Sequence, residues 1–201
     1  MSLRHVLALL LAGLVACSTQ QPPVAALDRQ TWTPLPTPWP APLQYRQQLL
    51  TVSLPGSTHD GQSLMTVLTA QQQGLRLIGL TPMGVRLFQI DYDHSGVHSA
   101  QLPGLANLAS SLPPAPQVLA DVMLAYWPLA SWQATLPRGW TLVEHNGQRL
   151  LRNPARELVT EIHYCTTPSG AEPCRLTQHV FGYQLTLRTL ASQPVPTGGT
   201  Q

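Results

Sequence analysis

The sequence predicts a mainly β domain: an antiparallel meander interrupted by one short helical insert. Three observations carry that prediction. Apolar and polar residues alternate with period two through most of residues 43–190, turn formers separate these runs, and only residues 117–135 switch to a period near 3.6. The length of 201 residues allows one domain with a core of its own, and many of the 20 prolines crowd into 22–42 and 113–116 rather than into the alternating runs.

Residues 43–54 read as the first strand, closed by Pro55-Gly56-Ser57 and a polar turn through Gly61. In the second, Leu64, Thr66, Leu68 and Ala70 share one face, with Met65, Val67 and Thr69 on the other. Gly74 ends a glutamine turn before a third strand over 75–80, and Thr81-Pro82-Met83-Gly84 turns the chain into a fourth over 85–92. There Arg86, Phe88, Ile90 and Tyr92 face one way, opposite Val85, Leu87 and Gln89. Asp93-His94-Ser95-Gly96 is the next turn, followed by a short strand to Leu102. Past Pro113-Pro114-Ala115-Pro116 the period changes. Val118, Leu119, Val122, Met123 and Tyr126 recur at three- and four-residue spacings, a helix over 117–127 with Gln117 and Asp121 off its stripe. Pro128 ends it and opens a second helix over 129–135. Strands resume at 140–144, 148–152 (after an Asn146-Gly147 hairpin signal), 157–165, 174–181 and 183–190, for about ten in all, and the tail 191–201 reads as disordered.

The amino terminus carries the address. Arg4 and His5 precede an apolar run, Val6 to Ala16, too short to span a bilayer. It ends in Leu14-Val15-Ala16-Cys17, which resembles a bacterial lipobox; an ordinary secretory signal with a chance cysteine is the alternative. The lipobox implies removal of the signal peptide 1–16, acylation of Cys17, and, because Ser18 stands where an inner-membrane retention signal has Asp, an outer-membrane anchor with the domain facing the periplasm. Residues 17–42 then form a tether. The alternate prolines at 34, 36, 38, 40 and 42 favour polyproline II, and some twenty-five residues at ~3.1 Å each would reach roughly 75 Å.

Composition excludes several chemistries. The chain has no lysine, so Schiff-base catalysis, a P-loop lysine and a Ser-Lys dyad are ruled out. Without Arg4, ten arginines balance nine acidic residues, which gives no electrostatic argument for nucleic acid. Cys165 and Cys174 lie in an expected oxidising compartment and flank a turn-rich segment, so a disulfide stapling a hairpin is favoured. Zinc is its rival, and no His-x-x-x-His near the two cysteines supports it. Asp91 to Gly96 matches half a calcium loop but lacks the closing Glu, since Leu102 stands there. Ser57, His59 and Asp60 are neighbours in a loop, where a triad converges from separate elements. Glu161 and His163 alternate on one strand face as a surface pair. No nucleophile–base pair can be named, and the expectation is a protein that is not an enzyme and takes no metal or cofactor.

Two motifs carry a resemblance. The segment from Leu77 to Gly84, with its Thr81-Pro82-Met83-Gly84 turn, resembles the turn of the outer-membrane lipoprotein receptor LolB, and Tyr126-Trp127-Pro128-Leu129-Ala130-Ser131-Trp132 with Arg138-Gly139 resembles that family's helix and its close. More closely, residues 43–190 resemble an uncharacterised family of proteobacterial lipoproteins often encoded near aryl-polyene synthesis genes. The pattern Gly-Leu-x-Pro-x-Gly-x-Arg-Leu-Phe at 79–88, continued by Asp91-Tyr92-Asp93, and Asp-x-x-Leu-Ala-x-Trp-Pro-Leu at 121–129 are the shared features. The resemblance implies a LolA/LolB-like half-barrel of antiparallel strands with a helical lid. The implied function is binding or transfer of acylated or lipidic cargo, a lipoprotein or polyene-type lipid, in an apolar cavity. Val118, Val122, Met123, Tyr126, Trp127 and Trp132 are then the cavity and lid residues, hinged at Pro128, and Pro82, Met83 and Gly84 form a loop that touches the membrane or a periplasmic LolA-like carrier. The same side chains would serve equally to close a dry core, and a scaffold lipoprotein of an envelope complex is the alternative function. The cysteine pair and the long tether depart from the LolB pattern.

Overall fold

The computed structural model describes residues 24–36, 44–56, 60–71, 74–101 and 115–194. The expected signal peptide 1–16, Cys17, Trp39 and residues 195–201 lie outside them.

The first described segment, inside the expected tether 17–42, forms a pair of strands where extended polyproline II was expected. Strand β1 (Val24–Ala26) pairs antiparallel with β2 (Trp32–Pro34), and this hairpin buries Ala25, Leu27, Thr33 and Leu35 against the domain. The Asp28 carboxylate fixes its turn, accepting the backbone N–H groups of Gln30 at 2.8 Å and Thr31 at 2.7 Å. The Thr33 hydroxyl donates to the Thr135 carbonyl at 2.6 Å, and the Tyr92 hydroxyl to that of Pro36 at 2.8 Å. Proline tolerates this because a two-stranded ribbon is all edge. The buried face of period two decides the outcome over the proline count.

The domain itself is one open sheet made of two meanders. Strands β3 (Gln44–Ser53), β4 (Ser63–Gln71), β5 (Gly74–Leu80), β6 (Arg86–Asp93) and β7 (Gly96–Gln101) form the first. Strands β8 (Thr141–His145), β9 (Gln148–Arg152), β10 (Leu158–Thr167), β11 (Gly170–Gln178) and β12 (Tyr183–Pro194) form the second. Their order is β7-β6-β5-β4-β3-β12-β11-β10-β9-β8, every pair antiparallel, joined where β3 meets β12. The expected mainly β architecture with a short helical insert holds, as an open sheet with edges at β7 and β8. Those two edges are consecutive in sequence, so the segment between them has to travel from one side of the sheet to the other. It carries α1 (Ala115–Tyr126) and α2 (Leu129–Gln133) across one face. That topology is what places a helix over the sheet.

Close approach and bulges shape the covered face. A Cβ at Gly79 would stand 2.2 Å from the Phe88 ring, so only glycine lets that ring lie flat across β5. Register shifts at Gly79/Leu80, His163/Tyr164 and Thr189/Ala191 add bends. Pro173 sits beside the second of these, opposite Tyr164, which explains how β11 begins at Gly170, four residues before the expected start at Cys174. Cys165 and Cys174 are joined by a disulfide across β10 and β11, Cα to Cα 5.7 Å. β12 runs to Pro194, past the expected end of the domain at 190. Among the described residues, no helix is long and apolar enough to cross a membrane.

Candidate functional site

Helix α1 is fixed at its carboxyl end by side chains from the second meander and α2. The last carbonyls of a helix lack intrahelical partners. Here Trp132 Nε1 donates to Met123 O at 3.1 Å, Tyr164 Oη to Ala125 O at 2.7 Å, and Arg149 Nη1 to Leu124 O and, at 2.7 Å, to Trp127 O. Arg149 is buried, places its cation at the negative end of the helix dipole, and is balanced by Glu144, whose Oε1 accepts from Nε at 2.8 Å. Replacing Arg149 with Met removes its hydrogen bonds to two buried carbonyls; we expect a loss of about 3 kcal/mol and a melting temperature lower by roughly 6–12 °C, read by thermal denaturation.

Between α1 and the sheet lies a partly open cavity of about 110 Å³. Its floor follows from the register. Leu50 of β3 stands between Leu64 of β4 and Leu187 of β12, and Val52 is opposite Leu185. Val118, Val122 and Ala125 of α1 form the roof, and Phe88 closes one side. An engineered apolar cavity of ~150 Å³ stays dry and takes benzene. The present space therefore accepts a short stretch of hydrocarbon, and a longer chain requires α1 to move outward about its pinned end.

Two polar clusters interrupt the hydrocarbon lining. Asp121 of α1 is buried and lines the cavity. Its Oδ2 accepts the Tyr183 hydroxyl, and its Oδ1 accepts Gln117 Nε2 at 3.4 Å. Burial outweighs these hydrogen bonds and pushes the Asp121 carboxyl up to about 7. Burial and the adjacent acid likewise raise the Tyr183 phenol. Gln117 Oε1 is buried without a partner. Toward Tyr126, the Gln48 amide donates to the phenol oxygen, and the Arg46 guanidinium lies 4.8 Å from the ring centroid while pairing with Glu172 at 3.2 Å. Burial raises the Tyr126 phenol as well.

The structure divides the residues expected to form the cavity. Val118, Val122 and Tyr126 line it. Met123, Trp127 and Trp132 do not: each is 0% exposed and belongs to the closed core. The reason is that α1 is covered on two sides, by the sheet and by the β1–β2 hairpin with α2, so its apolar stripe serves both. Pro82, Met83 and Gly84 form an exposed turn, with Met83 90% accessible. The turn is closed by Thr81 N–H to Val85 O at 2.8 Å and by Gly84 at φ +83°. Sequence reasoning missed the sheet floor and the Asp121–Tyr183 pair. The available signals were Leu185 and Leu187 alternating with Tyr183, and an acid inside an otherwise apolar helix.

The other constellations resolve into local structure. Asp93 accepts the Ser95 N–H at 2.7 Å within the β6–β7 hairpin turn. Asp60 accepts the Leu54 N–H at 2.9 Å, while Ser57 and His59 lie outside the described residues. Glu161 contacts His163 at 2.8 Å and His179 at 3.7 Å on the surface. Among the described residues, no group of three or more His, Cys, Asp or Glu is placed to hold a metal ion.

A family model of proteins of unknown function, DUF3261, matches residues 45–191, from the start of β3 almost to the end of β12. The chain belongs to the DUF3261 family. Membership in an uncharacterised family is what the sequence motifs implied. No curated protein matches the DUF3261 chain. Among solved structures it is similar to a LolA superfamily protein from Nitrosomonas europaea (8% identity, TM-score 0.47, covering 80% of this chain and 90% of that one). It is also similar to an outer membrane lipoprotein-sorting protein domain from Vibrio parahaemolyticus (8%, 0.39, 79% and 87%). A DUF1329 family protein from Desulfovibrio piger shares 9% identity at a TM-score of 0.31, over 78% and 87% of the two chains.

Proposed function

We propose that this DUF3261 protein is a non-enzymatic carrier that binds or transfers acylated or lipidic cargo, anchored to the outer membrane through lipid on Cys17 with its domain in the periplasm. The partly open apolar cavity beneath α1 carries the reading. A concave apolar space with a few convergent polar groups is the usual form of a small-ligand site. Each methylene taken from water is worth ~0.8 kcal/mol, so six methylenes in this cavity contribute roughly 5 kcal/mol. The exposed Met83 turn supplies an apolar surface for contact with a membrane or a LolA-like carrier during transfer.

The test is native mass spectrometry of the chain with phospholipid, triacylated peptide and polyene lipid. Wild type is expected to hold one lipid adduct. Val122→Trp, which fills the cavity from its half-buried roof position, is expected to lose it while melting normally. A wild-type protein that stays bare with all three lipids ends the carrier reading and favours a scaffold role.

A further inference from the structure

The cavity would be simpler without Asp121. A purely hydrocarbon ligand needs no acid in its site, and a buried carboxyl is costly unless its hydrogen bonds are made. Two of them are made. Tyr183, on β12, donates to Oδ2, and Gln117, one turn earlier on α1, donates to Oδ1. No cation is among the groups acting on the carboxyl, and burial keeps it protonated toward neutral pH. Both oxygens thus already accept, and the group's remaining capacity is its own proton. Besides Asp121 and Tyr183, the polar residues that line the cavity are Gln48, Thr66 and Tyr126, and the Gln48 amide is directed to Tyr126. The acid thus borders space that a ligand would fill, with the unpartnered Gln117 Oε1 as the competing acceptor for its proton.

We propose that Asp121, held by Tyr183 and Gln117, is a specificity residue that donates a hydrogen bond to an uncharged carbonyl oxygen within the acyl ligand, an ester or an amide. This rests on the carrier reading and adds to it the chemistry of the cargo. The cavity is a site for a chain with a carbonyl linkage, matched at one point, rather than for bare alkane. Glycerolipid esters and N-acyl amides share that carbonyl.

The test measures affinities of the intact protein for decane, methyl decanoate and N-methyl decanamide by displacement of a bound fluorescent fatty probe. Wild type should prefer the ester or the amide to decane by roughly tenfold, the worth of one hydrogen bond to a buried donor. The stronger of the two names the source, glycerolipid or N-acyl chain. Asp121→Asn, which keeps a neutral donor of the same shape, should retain the preference. Asp121→Leu should bring the ratio near one, and Tyr183→Phe, which frees the carboxyl to turn, should reduce it. Near-ultraviolet circular dichroism of the buried tryptophans reports that each variant is folded. Equal wild-type affinity for decane and both carbonyl probes would overturn the inference alone, as it would mean that the acid proton is spent on Gln117 Oε1 after rotation of the amide. A tenfold preference that survives both Asp121→Leu and Tyr183→Phe would overturn it too. Failure of every probe to bind, decane included, would instead remove the carrier reading on which it stands.

Discussion

Met123→Arg is expected to destabilise the protein strongly, and Val122→Arg, one residue earlier, to leave it stable and unable to take up hydrocarbon. The two side chains lie on different sides of α1. Met123 is 0% exposed in the closed core, where a guanidinium would be taken out of water among apolar side chains. An unpaired buried charge together with lost packing costs about 3–5 kcal/mol, a large share of the ~5–15 kcal/mol that holds a typical domain. Val122 is half-buried in the roof of an opening, and a long side chain there can extend toward solvent while placing charge across the entrance. Urea denaturation and lipid binding measured side by side separate the two effects. A Met123→Arg protein of wild-type stability would mean that the residue borders the cavity after all.

The second large effect is pH-dependent stability through Asp121. Its carboxyl is raised from 3.8 to about 7 by burial, so between those values the folded chain keeps a proton that the unfolded chain has released. Stability is then lost as pH rises, by about 1.4 kcal/mol per unit and on the order of 4 kcal/mol over the whole interval. The contribution is fully present below pH ~4 and gone above pH ~7. Asp91 and Glu172 have lowered values and tilt the curve the other way, equally in both proteins compared. Asp121→Asn removes only the first effect. Denaturation at pH 4, 5.5, 7 and 8 should therefore show Asp121→Asn gaining on wild type at each step up to neutrality. Parallel curves would show that Asp121 is ionised in the folded protein.

What the sequence made legible was the local pattern. Alternation placed Phe88, Ile90 and Tyr92 on the buried face of β6, and the change of period at Pro116 marked α1 to within two residues. The cavity was less legible because a helical stripe does not say what covers it. Val118 and Met123 belong to the same apolar run, yet only the first meets open space, a distinction made by the hairpin at 24–36 and by α2. The sheet floor required knowing that β3 pairs with β12, a contact between the two ends of the domain that no local pattern announces. Asp121 was legible as an exception to the stripe but not as a member of a site, because its partner Tyr183 is 62 residues away.

Docking of the hairpin at 24–36 also shortens the leash. With lipid on Cys17, only residues 18–23 separate the anchor from Val24, and the seven steps from 17 to 24 at ~3.3–3.6 Å each span no more than roughly 25 Å, less than the thickness of the bilayer's hydrocarbon core. Under the proposed anchoring, the domain would stay within that reach of its own leaflet. Cargo already in that leaflet is presented at the high local concentration of a short linker. Cargo from elsewhere must be delivered.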